Sequence, residues 1–426
     1  MTVAIFIGAL LGAMALGIPI AFALLATGVA LMWHLDLFDA QILAQNVVNG
    51  ADSFPLLAVP FFMLAGEIMN VGGLSRRIID LALALVGHIR GGLGYVTIMA
   101  AVLLSALSGS AVADAAALTA LLLPMMVSAG HDKARSGGLI AASGIIGPVI
   151  PPSIGFVIFG VAANVSITKL FLAGIFPGLL IGAALWFTWW WLGRREQIVP
   201  PPRRSRAEVL KALRASGWAL MLPVIILVGL RAGVFTPTEA AVVAAVYALF
   251  VSTVVYRELK LRQLYEIFVS AAKTTSVIML LIAAAMVSAW LITVADLPSK
   301  VIALLEPFMA SPTLLLVAIM VLVMIVGTAM DMTPTILILT PVLMPVVKAA
   351  GIDPVYFGVL FIINNSIGLI TPPVGTVLNV VAGVGRMKID EVTKGVWPFM
   401  LAELAVMFLL VVFPSLVTVP AKWFGG

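Results

Sequence analysis

Oxygen-bearing side chains gather around two double prolines in otherwise apolar sequence, and neutral oxygens are what a hard cation such as sodium binds. Pro151-Pro152 has Ser143 and Ser153 beside it; Pro372-Pro373 has Asn364, Asn365, Ser366 and Thr371. A proline cannot donate to the carbonyl four residues back. The first pair therefore frees the carbonyls of Gly147 and Pro148, and the second those of Gly368 and Leu369. Residues before proline are pushed towards extended backbone, which places the breaks at Ile150 and Thr371. Freed carbonyls at membrane depth are tolerated only where protein, water or an ion satisfies them. Small residues at Ser108-Gly109-Ser110 and Gly327-Thr328 permit further unwinding. Helix N-termini at such breaks also suit an anionic group. The alternative is a pair of kinked helices, with Ser and Asn bridging between neighbours.

The two copies are in register. Pro151 and Pro372 lie 221 positions apart, and the same spacing relates Pro124 to Pro345, Gly130 to Gly351, Asp132 to Asp353, Gly147 to Gly368, Gly174 to Gly395 and Pro177 to Pro398. The chain is thus an internal duplication, with a first half at 1–193, a basic linker at 194–217 and a second half at 218–426. Gly109 and Gly327 lie 218 apart, so a small insertion or deletion precedes Pro124. Paired broken helices at matching points of two repeats are the best sequence pointer to a transporter's binding site. The halves are expected to be inverted across the membrane, although the repeat alone also permits a parallel arrangement.

The elements that must hold these residues are membrane helices. Of 426 residues, 62% are hydrophobic and 10% charged, with a mean hydropathy of +1.19. That composition cannot coat a soluble domain. Long apolar runs, roughly 3–33, 55–70, 93–129, 138–162, 170–192, 218–256, 274–294, 313–348, 355–385 and 396–419, point to an all-α polytopic protein of about eleven or twelve elements, with re-entrant hairpins, and not to a β-barrel. Met1 to Trp33 lacks a basic leader and a small-residue cleavage site, so it reads as mature membrane sequence.

Basic residues collect after Trp191: Arg194-Arg195-Glu196, then Pro200-Pro201-Pro202, Arg203-Arg204-Ser205-Arg206, Lys211 and Arg214. Such loops stay cytoplasmic, and they account for the net charge of +5 without invoking nucleic acid. Trp186, Trp189, Trp190, Trp191 and Trp218 flank the loop as an interfacial belt. Arg257, Lys260 and Arg262 form a second basic cluster one helical pair later. Between the clusters, Thr236-Pro237-Thr238-Glu239 reads as a capping box, so Glu239 serves helix initiation.

Charges within apolar runs are few: Glu67, Asp114, Lys273, Asp331 and Glu403. Each is costly at depth. Asp114 and Asp331 follow the glycine breaks and either face the ion sites or sit at hairpin tips in solvent. Lys273 is expected to snorkel, and Glu67 and Glu403 to pair at helix ends. Enzyme classes find little support. There is no cysteine, no His-Glu-x-x-His zinc helix, no histidine after His131 and no Gly-Lys-Ser/Thr phosphate loop.

With these residues in view, the chain resembles the large membrane subunit of tripartite ATP-independent periplasmic (TRAP) transporters, the dicarboxylate-permease-like family. The likeness rests on Gly17-Ile18-Pro19, Leu107-Ser108-Gly109-Ser110, Ile150-Pro151-Pro152-Ser153, Phe235-Thr236-Pro237-Thr238-Glu239-Ala240 and Ile370-Thr371-Pro372-Pro373-Val374-Gly375. It implies a sodium-coupled importer of organic acids in a bacterial or archaeal inner membrane, with Na+ as coupling ion and no organic cofactor. It also implies two partners, a small four-helix membrane subunit and a periplasmic substrate-binding protein, and an elevator mechanism. By motif position, Ser108, Ser110, Ser153, Asp331 and Asn379 would face substrate. Two sodium sites would draw on Gly109, Ser110, Ser143, Pro151, Gly327, Thr328, Asn364, Thr371 and Pro372. Two departures stand out: Thr376-Val377-Leu378 precedes Asn379, and Thr293-Val294-Ala295 is uncharged where some members look to carry an arginine. A stand-alone sodium/anion symporter with inverted hairpins is the alternative.

Overall fold

The computed structural model describes residues 2–194, 202–309 and 311–425; Arg195, Glu196, Pro200 and Pro201 of the basic loop lie outside the described residues. The described residues are helical, with short connections. The chain opens with α1 (Thr2–Ala15), α2 (Ile20–His34), α3 (Ala40–Ala51), a 3-10 turn leading into α4 (Ala58–Val71), and α5 (Leu74–Val86). A hairpin of α6 (Gly92–Ser108) and α7 (Ala111–Ser128) follows, then the broken pair α8 (Lys133–Gly144) and α9 (Ile154–Ala163), then α10 (Ile167–Gly193). Next come α11 (Arg206–Arg231), α12 (Pro237–Phe250), which ends in a π turn, α13 (Leu261–Val294) and α14 (Leu297–Met309). A second hairpin, α15 (Pro312–Gly327) and α16 (Met332–Ala349), precedes the broken pair α17 (Pro354–Gly368) and α18 (Thr376–Val384), α19 (Ile389–Val412) and α20 (Ser415–Gly425). Among the described residues, 8 helical stretches are long and apolar enough to cross a membrane, and six apolar helices are shorter.

The order of elements repeats at the spacing found in the sequence. Helices α7 and α16 begin at Ala111 and Met332, and α8 and α17 at Lys133 and Pro354. Each double proline sits in a break wider than the expected one. Helix α8 stops at Gly144 and α17 at Gly368, ahead of Ile150 and Thr371. Three-residue hydrogen bonds take over there, Ile145 N to Ala142 O and Gly147 N to Gly144 O in one, Leu369 N to Ser366 O and Thr371 N to Gly368 O in the other. The chain tightens before the prolines because their missing N–H groups and ring carbons already forbid α-helical bonds to the preceding turn. Both Pro-Pro bonds are cis.

Two sets of helix contacts position the breaks, and they are joined where α13 packs on α16 and α5 on α6. In one, α13 lies against α2, α3 and α4, while α4 also packs on α12. In the other, the hairpins and broken helices cross between halves, with α8 on α19, α7 on α18 and α9 on α16. The α8–α19 crossing is a backbone contact. A Cβ on Gly395 would stand 1.8 Å from the Ala134 carbonyl oxygen, and one on Gly138 would stand 2.1 Å from the Gly395 carbonyl carbon. Only glycine admits that approach.

Local signals resolve as follows. The capping box at Thr236 and Glu239 is formed, with Thr236 N donating to Glu239 at 2.8 Å and Glu239 N to Thr236 Oγ1 at 3.3 Å. The basic stretch is helical from Arg206 onwards, so Lys211 and Arg214 lie on α11, whose own capping box joins Ser205 and Glu208. Trp189 does not belong to an interfacial belt. It is 1% exposed and donates to the Gly91 carbonyl at 2.9 Å, because α10 folds that face inward against α6 and stacks it on Phe399. Trp190 and Trp191 remain on the surface.

Candidate ion and substrate site

The first hairpin ends in a two-residue tip. Gly109 closes α6 with φ +63°, and Ser110 caps α7 by accepting from Ala113 N at 3.4 Å. The tip is pressed on the first proline break. A Cβ on Gly109 would lie 2.3 Å from the Pro152 carbonyl oxygen, so this position needs glycine for both its backbone angle and its clearance. One turn into α7, Asp114 is buried and accepts from Ser108 Oγ at 2.5 Å through Oδ1. Its Oδ2 has no hydrogen-bond partner and points at Gly147, where a Cβ would stand 2.7 Å away. Ser143, wholly buried on α8, also has a bare hydroxyl.

The second hairpin has a four-residue tip, 328–331, that rejoins the 221-residue register at α16. Gly327 crosses Gly368 backbone to backbone; a Cβ on Gly368 would lie 3.0 Å from the Gly327 carbonyl oxygen. Asn364 Nδ2 donates to Met320 O at 2.6 Å and Asn365 Nδ2 to Met332 O at 3.1 Å. Both side chains are wholly buried, and both amide oxygens are left without a partner. Asn364 stands at the position that Ser143 occupies in the first half. The two clusters meet where α9 packs on α16: a Cβ on Gly155 would lie 3.3 Å from Met332 Sδ.

The freed carbonyls are largely re-paired. Ser153 caps α9 and donates its hydroxyl to Pro148 O. Gly368 O accepts from Thr371 N at 3.1 Å, and Leu369 O from Val377 N at 3.0 Å. A carbonyl oxygen keeps a second lone pair, and bare side-chain oxygens stand beside these breaks at Asp114, Ser143, Asn364 and Asn365.

The other expected residues divide. Pro151 is buried and Pro372 half-buried. Thr371 Oγ1 donates to Ile367 O at 2.8 Å and Thr328 Oγ1 to Ile325 O at 2.8 Å, which is local back-bonding. Asn379 is exposed and bonds Val374 O at 2.6 Å, bracing the second break. Asp331 is exposed at the second tip and accepts from Thr376 Oγ1 at 3.2 Å. Asp114 and Asp331 are therefore not equivalent. Asp331 starts α16 where Ser110 starts α7, and Asp114 matches Thr335. Glu403 does not pair at a helix end. It lies in the middle of α19, wholly buried, with neither oxygen partnered. Glu67, within α4, accepts from Ser270 Oγ on α13 at 3.1 Å. The sequence places Asp114 and Asn365 near the breaks without fixing their surroundings; both are buried with one side-chain oxygen unpartnered, and Thr376, which motif position did not single out, donates to Asp331 at the second tip.

The chain matches the family described as the tripartite ATP-independent periplasmic transporter, DctM component, over residues 7–416. It is 58% identical over 423 residues to the 2,3-diketo-L-gulonate TRAP transporter large permease protein YiaN of Escherichia coli, covering 99% of this chain and 100% of that one. It is 41% identical to the sialic acid TRAP transporter large permease protein SiaM of Vibrio cholerae, covering 98% and 97%. Among solved structures, the YdaH transporter of Alcanivorax borkumensis shares the fold, with a TM-score of 0.66 and 18% identity over 92% of this chain and 91% of that one. The chain is a multi-pass inner-membrane protein, and it belongs to the DctM family, the large permease component of TRAP transporters.

Proposed function

We propose that the chain imports an organic acid together with sodium, using two inverted halves that carry one cation site each. Bare, buried oxygens at registered positions, Ser143 Oγ and Asn364 Oδ1, carry this reading. A buried polar oxygen without a partner is costly, and a cation ligated there removes the cost. Asp114 Oδ2 joins Ser143 at the first site, and Asn365 Oδ1 joins Asn364 at the second. The anion lies between, near Ser110, Ser153, Asp331 and Thr376, where bound sodium offsets its charge. Ser108 acts through Asp114.

The group of α6–α10 and α15–α19 is the body that travels, and α2–α4 with α11–α13 is the frame. A small membrane subunit steadies that frame, and a periplasmic binding protein delivers the acid. The relative named for 2,3-diketo-L-gulonate, at 58% identity, favours a hydroxylated keto acid over a C4-dicarboxylate. The test is uptake of labelled keto-sugar acids, sialic acid and dicarboxylates into proteoliposomes, with and without a sodium gradient and with and without both partners. Keto-acid uptake that needs sodium and both partners is expected. Uptake without sodium would sink the coupling, and uptake by the chain alone would make it a stand-alone symporter.

A further inference from the structure

An apolar groove of about 620 Å³ runs along α6 and α10, lined by Ile98, Met99 and Val102 from one helix and Leu179, Trp186 and Trp190 from the other. Gly182 lets the helices approach at its floor, where a Cβ would lie 3.0 Å from Val102. Its rim is exposed, and none of its lining residues is ionisable. From Leu179 to Trp190 the groove follows α10 for about 16 Å, close to the roughly 15 Å depth of one leaflet's hydrocarbon.

A cation stands at the Trp190 end. Just past Trp190, Arg194 lays its guanidinium 3.5 Å from the Trp190 ring centroid and 5.6 Å from that of Trp191. The α6 N-terminus lies at the same end, held by the Trp189–Gly91 hydrogen bond, with Arg90 just before it. Tryptophan and arginine at a helix end mark the headgroup level, and a planar guanidinium suits a phosphate.

We propose that this groove is a binding site for one anionic phospholipid, with an acyl chain along α6 and α10 and its phosphate on Arg194. An acyl chain matches its length, its apolar lining and its charged mouth. Anionic lipids of the cytoplasmic leaflet would also meet Arg203 and Arg204 of the loop that follows.

The test is native mass spectrometry of the full chain in detergent, titrated with dioleoyl phosphatidylglycerol or dioleoyl phosphatidylcholine. Wild type should retain one phosphatidylglycerol in preference to phosphatidylcholine. Arg194→Gln should weaken phosphatidylglycerol binding about five-fold and leave phosphatidylcholine unchanged. Ala183→Trp, placed on the rim to fill the groove, should abolish retention of both. Equal retention of the two lipids by wild type would overturn the proposal, as would phosphatidylglycerol retained undiminished by Arg194→Gln. If Ala183→Trp does not fold, the Arg194→Gln ratio decides alone. Cross-linking of Ala183→Cys to a membrane partner in cells would reassign the groove to a helix.

Discussion

Alanine at Gly109 separates the docked hairpin tip from everything else the first half does. The backbone there has φ +63°, and an L side chain in that region costs about 1–2 kcal/mol. The added methyl would meet the Pro152 carbonyl oxygen at 2.3 Å, a backbone atom that cannot rotate away, and such overpacking costs about 1–3 kcal/mol. Together the two terms penalise the docked tip by about 2–5 kcal/mol, enough to shift its equilibrium by about 30-fold or more. Apparent affinity falls with the fraction of competent chains, so the sodium concentration for half-maximal uptake should rise at least about ten-fold. Gly351→Ala is the control. Gly351 has φ +68° but nothing within 4 Å of the added Cβ, so only the backbone term applies. That variant should lose a few degrees of thermal stability and keep its sodium dependence. The assay is sodium-titrated uptake in proteoliposomes with thermal unfolding in parallel. Half-maximal sodium within about two-fold of wild type for Gly109→Ala would refute the argument that the docked tip forms the site.

Ser143→Ala removes a buried hydroxyl that has no partner, so the sodium-free protein should unfold at a higher temperature while stabilisation by added sodium shrinks; a lower sodium-free midpoint contradicts this. Gly395→Ala should fail to give a monodisperse protein on size exclusion, because its methyl would lie 1.8 Å from Ala134 O; Gly383→Ala, with open space around it, should express normally and gain about 0.5–1 kcal/mol of helix stability. Thr236→Ala breaks the capping box of α12 and should cost about 1 kcal/mol in denaturant unfolding, with uptake intact.

The parts of the fold that could be read from sequence are those where backbone chemistry leaves one option. Double prolines, turn glycines and cap residues constrain φ and hydrogen bonding wherever they fall, so the 221-residue repeat, both breaks and the α12 start were legible. What decides burial was not. Asp114 and Asp331 look alike as acids after a glycine, yet Gly147 makes room for the first while a longer tip keeps the second outside. Trp189 looks like its three neighbours, and only the inward face of α10 distinguishes it. Glu403 stands out in sequence as a charge in an apolar run, but its burial in mid-helix depends on how α8, α10, α17 and α18 pack around α19, which local sequence does not encode.

The glycine crossing of α8 and α19 has a consequence for how the chain is made. Gly395 follows Gly138 by 257 positions. A ribosome adding roughly 5–20 residues per second leaves α8 without its partner for about 10–50 seconds. During that interval the translocon or surrounding lipid must shelter a glycine face whose fit exists only at the other end of the gene. Biogenesis of the first half is therefore committed to waiting, and translation stalled before α19 should leave a substrate for the membrane's quality-control proteases.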